Sequence, residues 1–139
     1  MRVMVLVKAT KESEAESHPF EMEGAEEMFE QRGRFNEELI KAGIMLAGDG
    51  LRPSKFGKRI HFSGAKRSVT DGPFAETKEL VAGYWVWQVR SMEEAVEWAK
   101  RCPASENEII EIRQVQEMED FSSEVREVLG DYQAMQARS

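Results

Sequence analysis

The chain has one cysteine, Cys102, two histidines, and four prolines among 139 residues. A single thiol excludes an internal disulfide framework and fits a reducing compartment, so the cytoplasm is the expected location. The histidines, His18 and His61, stand apart, and no H-x-x-x-H or C-x-x-C spacing occurs. Carboxylates alone would hold at most a weak Mg²⁺ or Ca²⁺, so no metal site is expected. No apolar run approaches the roughly 20 residues that cross a bilayer. The run at residues 3–7 is closed by Lys8 and is too short for the core of a signal peptide. The loop GDGLRPS has too few glycines for a nucleotide loop and does not open a helix. No nucleophile elbow or Ser-His-Asp order is present, and no cofactor is expected. Positive charge is also short: 19 Lys and Arg face 26 Asp and Glu, a net charge of −7. That balance argues against direct nucleic-acid binding, which leaves a basic footprint.

What remains is a soluble globular composition, 41% hydrophobic and 32% charged, in a length suited to one domain over residues 1–139. VMVLV at 3–7 reads as a buried strand, and KATKESEAESHPFEMEG after it as a polar loop broken by Pro19 and Gly24. Over 25–42, Ala25, Met28, Phe29, Phe35, Leu39 and Ile40 fall near helical spacing and predict one buried stripe, ended by Gly43. IMLAG is a second strand, and KRIHFSGAKRSVT a hairpin reversing at Gly64-Ala65. In GYWVWQVR, Trp85, Trp87 and Val89 alternate with Tyr84, Val86 and Gln88, so the 84–89 strand is large-sided on both faces. Ser91 with Glu94 predicts a capped helix that buries Met92, Ala95, Trp98, Ala99 and Cys102 and stops at Pro103. EIIEIRQV is the last strand. Residues 121–139 form a helical tail with Val125, Leu129, Tyr132 and Met135 at helical intervals.

This order predicts an α+β, ferredoxin-like βαββαβ sandwich with an inserted hairpin and a C-terminal helix. Its helices lie on one face of the sheet only. The two-sided 84–89 strand therefore needs a second cover, and a second subunit is the simplest.

The stretch TDGPFAETKE precedes that strand. Asp71-Gly72 favours a tight turn, and Pro73 fixes one φ and stiffens the backbone before it. Two readings are open. Asp71 bonds its own backbone in an Asx-turn, or the rigid turn presents its carboxylate at the mouth of a pocket walled by Phe74. Glu76, Lys78 and Glu79 are either solvated or part of that site. The basic stretches RPSKFGKR and AKR are either solvated hairpin charges or an anion-attracting rim, in which Arg52 would grip an anion with its fork of donors. His61 alternates with Ile60 and Phe62 and is either a surface histidine or a site residue. Cys102 reads as a small buried hydrophobe.

FNEELIKAGIMLAGDGLRPS, RIHFSGAKRSVTDGPFAETKELVAGYWVWQV, SMEEAVEWAKRCP, EIIEIRQV and MEDF occur here in the order seen in the YCII-related family, and resemble in particular its DGPF-domain branch. The resemblance covers most of residues 1–121. It implies a dimeric α/β barrel in which two sheets face each other, and hence a homodimer, but no established reaction. Many members place a histidine on the first helix and an aspartate near the same cleft. This chain has Arg32, Gly33 and Arg34 there, so that pair does not carry over. Some DGPF relatives occur beside or fused to sigma factors. Two functional expectations follow. One is a small-ligand-binding protein or enzyme with a cleft near the dimer interface. There Asp71 serves as acid/base or orienting carboxylate, and Arg52, His61, Gly72, Pro73, Phe74, Glu76 and Lys78 contact the ligand. The alternative is a non-catalytic sensing or regulatory module acting with a protein partner such as a sigma factor.

Overall fold

A computed structural model describes residues 1–15 and 24–137. His18 and Pro19 lie outside the described residues. The main sheet has the order β2-β5-β1-β6, with β1 Arg2–Lys8, β2 Met45–Gly50, β5 Val81–Gln88 and β6 Ile110–Gln114, every pairing antiparallel. Between β2 and β5, β3 Lys58–Ser63 and β4 Lys66–Asp71 pair as a separate two-stranded hairpin. Helices α2 Ala25–Lys41 and α3 Met92–Lys100 supply the two crossovers, and α4 Ser123–Ala137 follows β6. The mixed α+β architecture agrees with the ferredoxin-like order expected.

Register decides which side chains meet. Val3 lies opposite Trp87, Val5 opposite Trp85 and Val7 opposite Gly83, so these residues share one face of the sheet. Phe35 and Leu39 of α2 and Ala95 of α3 close over that face to form the core. Phe35 meets both indoles edge-on, with ring centroids 5.8 Å and 6.3 Å away, an arrangement aromatic quadrupoles favour. Trp85 Nε1–H donates to Asn36 Oδ1 at 2.8 Å, which gives one indole its partner inside the core. Opposite Trp85 stands Gly48, where a Cβ would fall 2.6 Å from the indole Cδ1. Glycine is needed there because the ring occupies the space a side chain would take.

The other face carries Met4 beside Val86 and Ala47, and Leu6 beside Tyr84 and Asp49. No residue of these pairs is fully buried. Tyr84 OH donates to Asp49 Oδ2 at 2.9 Å, and this hydrogen bond, followed by the carboxylate's charge, raises the phenol's pKa.

Two details differ from the sequence reading. The segment after β1 is not all loop, because Lys11–Ala15 form a short helix, α1. Thr10 and Ser13 cap it reciprocally: each side-chain oxygen accepts the other's backbone N–H, at 2.9 Å and 3.1 Å. Among the described side chains of α2, Phe35 and Leu39 alone are buried, while Phe29 and Ile40 are exposed. At about 100° per residue these two point well away from the line that meets the tryptophans.

Candidate functional site

The DGPF stretch forms a packed corner where the hairpin returns to the sheet. Gly72 N–H donates to Gly57 O at 3.0 Å. A Cβ on Gly72 would lie 1.7 Å from Ser54 O, so no side chain fits. The Gly72-Pro73 peptide is cis. Ser54 Oγ accepts the Phe74 N–H at 3.1 Å and donates to Glu14, whose other carboxylate oxygen accepts Ser54 N–H at 2.9 Å. One serine thus ties α1, the 3₁₀ turn Ser54–Phe56 and the corner together.

Asp71 and three arginines near this corner are already engaged. Asp71 is paired with Lys58 directly across the hairpin, with 74% of its side chain exposed. Arg52 stacks on Phe56 with its guanidinium 3.9 Å from the ring centroid, and Arg59 stacks on Phe74 at the same distance. Arg67 covers Phe62 at 4.6 Å. These contacts place Arg52, Arg59 and Arg67 on aromatic faces, where cation and quadrupole attract. His61 stands opposite Ser68, exposed like every residue of the hairpin. Pro73 and Glu76 are exposed, and Phe74 is half-buried. Asp71 and Arg52 line neither of the two clefts described in this molecule.

The same stretch ends elsewhere. The 3₁₀ turn Thr77–Glu79 lies beside the end of β1, and Thr77 and Lys78 line a cleft of about 370 Å³ with Lys8, Thr10, Lys11 and Asn107. Main-chain bonds set its frame: Lys8 N–H donates to Ile109 O and Ala9 N–H to Leu80 O, both at 2.9 Å. The β1–β5 register shifts between Val7 and Lys8. Such a bulge re-aims the side chains that follow it, and bulges recur beside binding sites. Asn107 has φ 68°, alone among the described non-glycine residues in taking a positive value. Lys78 is the one expected site residue that this cleft contains.

Lys8, Thr10, Lys11 and Asn107 escaped the sequence reading. A lysine ending a buried strand, with Thr and Lys two and three residues on, is the only local signal, and 70 residues separate it from Lys78.

Arg32 clamps α2 to the loop between α3 and β6. It donates to Glu108 at 2.7 Å and to Pro103 O at 2.9 Å. Cys102 lies beside it, and burial raises its thiol pKa against the smaller opposing effect of Arg32. Among the described residues, no group of three His, Cys, Asp or Glu side chains is placed to hold a metal ion. No helix among them is long and apolar enough to cross a membrane.

The fold and the sequence pattern define a class. The model of the YCII-related domain matches residues 1–119, and the chain belongs to that family. It is also similar to an uncharacterised protein of Rhizobium meliloti (strain 1021), with 33% identity over 61 residues. That match covers 44% of this chain and 49% of the relative, so the similarity extends over about half of the relative's length.

Proposed function

We propose that this protein is a small-ligand-binding member of the DGPF branch of the family, working as a homodimer whose open sheet faces meet. The ligand site is the cleft between the end of β1 and the turn Thr77–Glu79. The observation that carries this reading is the convergence there of a β-bulge, the positive-φ Asn107 and the end of the DGPFAETKE stretch. Irregular backbone held in place by main-chain bonds is a feature of binding sites, since regular ladders leave no concave frame. In this reading the DGPF corner is scaffold: it fixes the hairpin and delivers Thr77 and Lys78. An acid/base role for Asp71 would require a second subunit to enclose the hairpin, because in one protomer solvent surrounds its carboxylate.

A thermal-shift screen of chemically mixed small molecules tests the site. A ligand bound to the native state raises the melting temperature by linkage. Thr77→Trp fills the cleft mouth, and compounds that stabilise the parent protein should lose their effect on this variant. Hits that persist undiminished would place binding elsewhere.

A further inference from the structure

We infer that the cleft takes a small oxyanion, a carboxylate or phosphate monoester bearing hydroxyl or amino donors. This rests on the ligand-cleft reading above and adds the chemistry of the ligand. Three of the lining residues are lysines: Lys8, Lys11 and Lys78. None of them forms an ion pair with a carboxylate, although the chain carries an excess of acids. Lys41, Lys55 and Lys66 also lack a carboxylate partner among the described residues, and what sets the cleft apart is that three such lysines line it together. Lys58, Lys100 and five of the arginines around the molecule have carboxylate partners within 3.3 Å. Like-charged groups lining one cleft repel one another, and an anion bound among them relieves that repulsion.

The opposite rim sets the rest of the ligand. Glu12 and Glu106 line the same cleft without pairing with the lysines. Two carboxylates there disfavour an extended polyanion and accept hydrogen bonds from hydroxyl or ammonium groups. Thr10, Thr77 and Asn107 add neutral donors and acceptors. A volume of about 370 Å³ admits a metabolite-sized molecule rather than a polymer. At 52–67, by contrast, Arg52, Arg59 and Arg67 are held on aromatic rings and Lys58 is paired with Asp71, and no basic residue of that stretch lines either of the two clefts.

Amide chemical shifts in labelled full-length protein, titrated separately with inorganic phosphate, succinate, glycerol 3-phosphate and glycerol, test this. Saturable shifts at Thr10, Thr77 and Asn107 are expected with the anions, with glycerol 3-phosphate binding tighter than phosphate and glycerol giving none. Phosphate and succinate together separate the two oxyanion chemistries. Lys11→Gln and Lys78→Gln, both at exposed positions, should each weaken binding roughly tenfold by removing a charge-assisted bond. Lys66→Gln on the hairpin should leave it unchanged. Shifts at the cleft with glycerol but with none of the anions would overturn the oxyanion assignment and leave the cleft reading standing. An equal loss in Lys66→Gln would show a diffuse charge effect and overturn it too. No shift at these amides with any of the four probes would overturn both.

Discussion

At the scale of single residues, Gly72 answers what the DGPF stretch is for. The requirement for glycine comes from the carbonyl of Ser54, which sits where a Cβ would be. Gly72→Ala must therefore displace backbone rather than a flexible side chain. It should lower unfolding stability by roughly 3 kcal/mol or more, read from urea denaturation. A loss within about 0.5 kcal/mol, the range of neutral surface changes, would show that the corner relaxes freely. That need was not legible locally. Asp-Gly-Pro announces a stiff turn, but 18 residues separate Gly72 from Ser54, and only the fold brings them together. Asp71 was ambiguous for the same reason: whether a turn aspartate faces a pocket or a lysine depends on the strand across from it, here Lys58. Cys102, by contrast, was readable from helical spacing as a small side chain turned to the core, against which it packs half-buried. Its thiol is held protonated by burial, so its thiolate fraction near neutral pH is below that of a free thiol. The expected outcome is slower reaction with an aromatic disulfide reagent than a small free thiol shows under the same conditions.

At the scale of elements, the legible parts were those with strong periodicity and a buried face. The run at 3–7, the alternating tryptophans, the hairpin and the Ser91 cap all appear where the pattern placed them, the cap as a 3.1 Å bond from Glu94 N–H to Ser91 Oγ. Strand β5 begins earlier than the tryptophans suggested, because Val81 pairs with Lys8 across the bulge. The short helix α1 went unseen because a five-residue polar segment carries no periodic signal, and its cap, Thr10 with Ser13, lies inside a run of loop-like residues. This small element matters to the hairpin through Glu14 and Ser54. Removing the hydroxyl in Ser54→Ala leaves the Phe74 N–H without its acceptor and frees one oxygen of Glu14. A loss of about 1–3 kcal/mol is expected for the unpaired group. Because the hairpin is a sheet of its own and this corner is bonded to the turn before it, the effect should concentrate there. Hydrogen exchange should accelerate over residues 58–74 and stay unchanged in β1 and β5; uniform acceleration would mean the serine supports the whole fold instead.

At the scale of the whole molecule, the described residues leave large apolar side chains exposed. They lie on the hairpin, with Ile60, Phe62 and Val69, and on α4, with Val125, Val128, Tyr132 and Met135. A stable dimer buries about 800 Å² per partner, well within what these surfaces and the open sheet face offer. Helices α2 and α3 cover the tryptophan face, and the opposite face presents Met4, Leu6, Tyr84 and Val86. The two faces of β5 thus predict opposite outcomes for one chemical change. Trp87 is fully buried beneath Phe35, and Trp87→Glu would place an unpaired carboxylate in the core, so it should unfold the chain. Val86 lies on the open face beside Met4 and Ala47. Val86→Glu should keep a native circular dichroism spectrum while converting a dimer to a monomer by light scattering at micromolar concentration. A parent protein that is already monomeric at that concentration would remove the sheet-to-sheet assembly, and a Val86→Glu protein that stays dimeric would move the contact to the hairpin or α4.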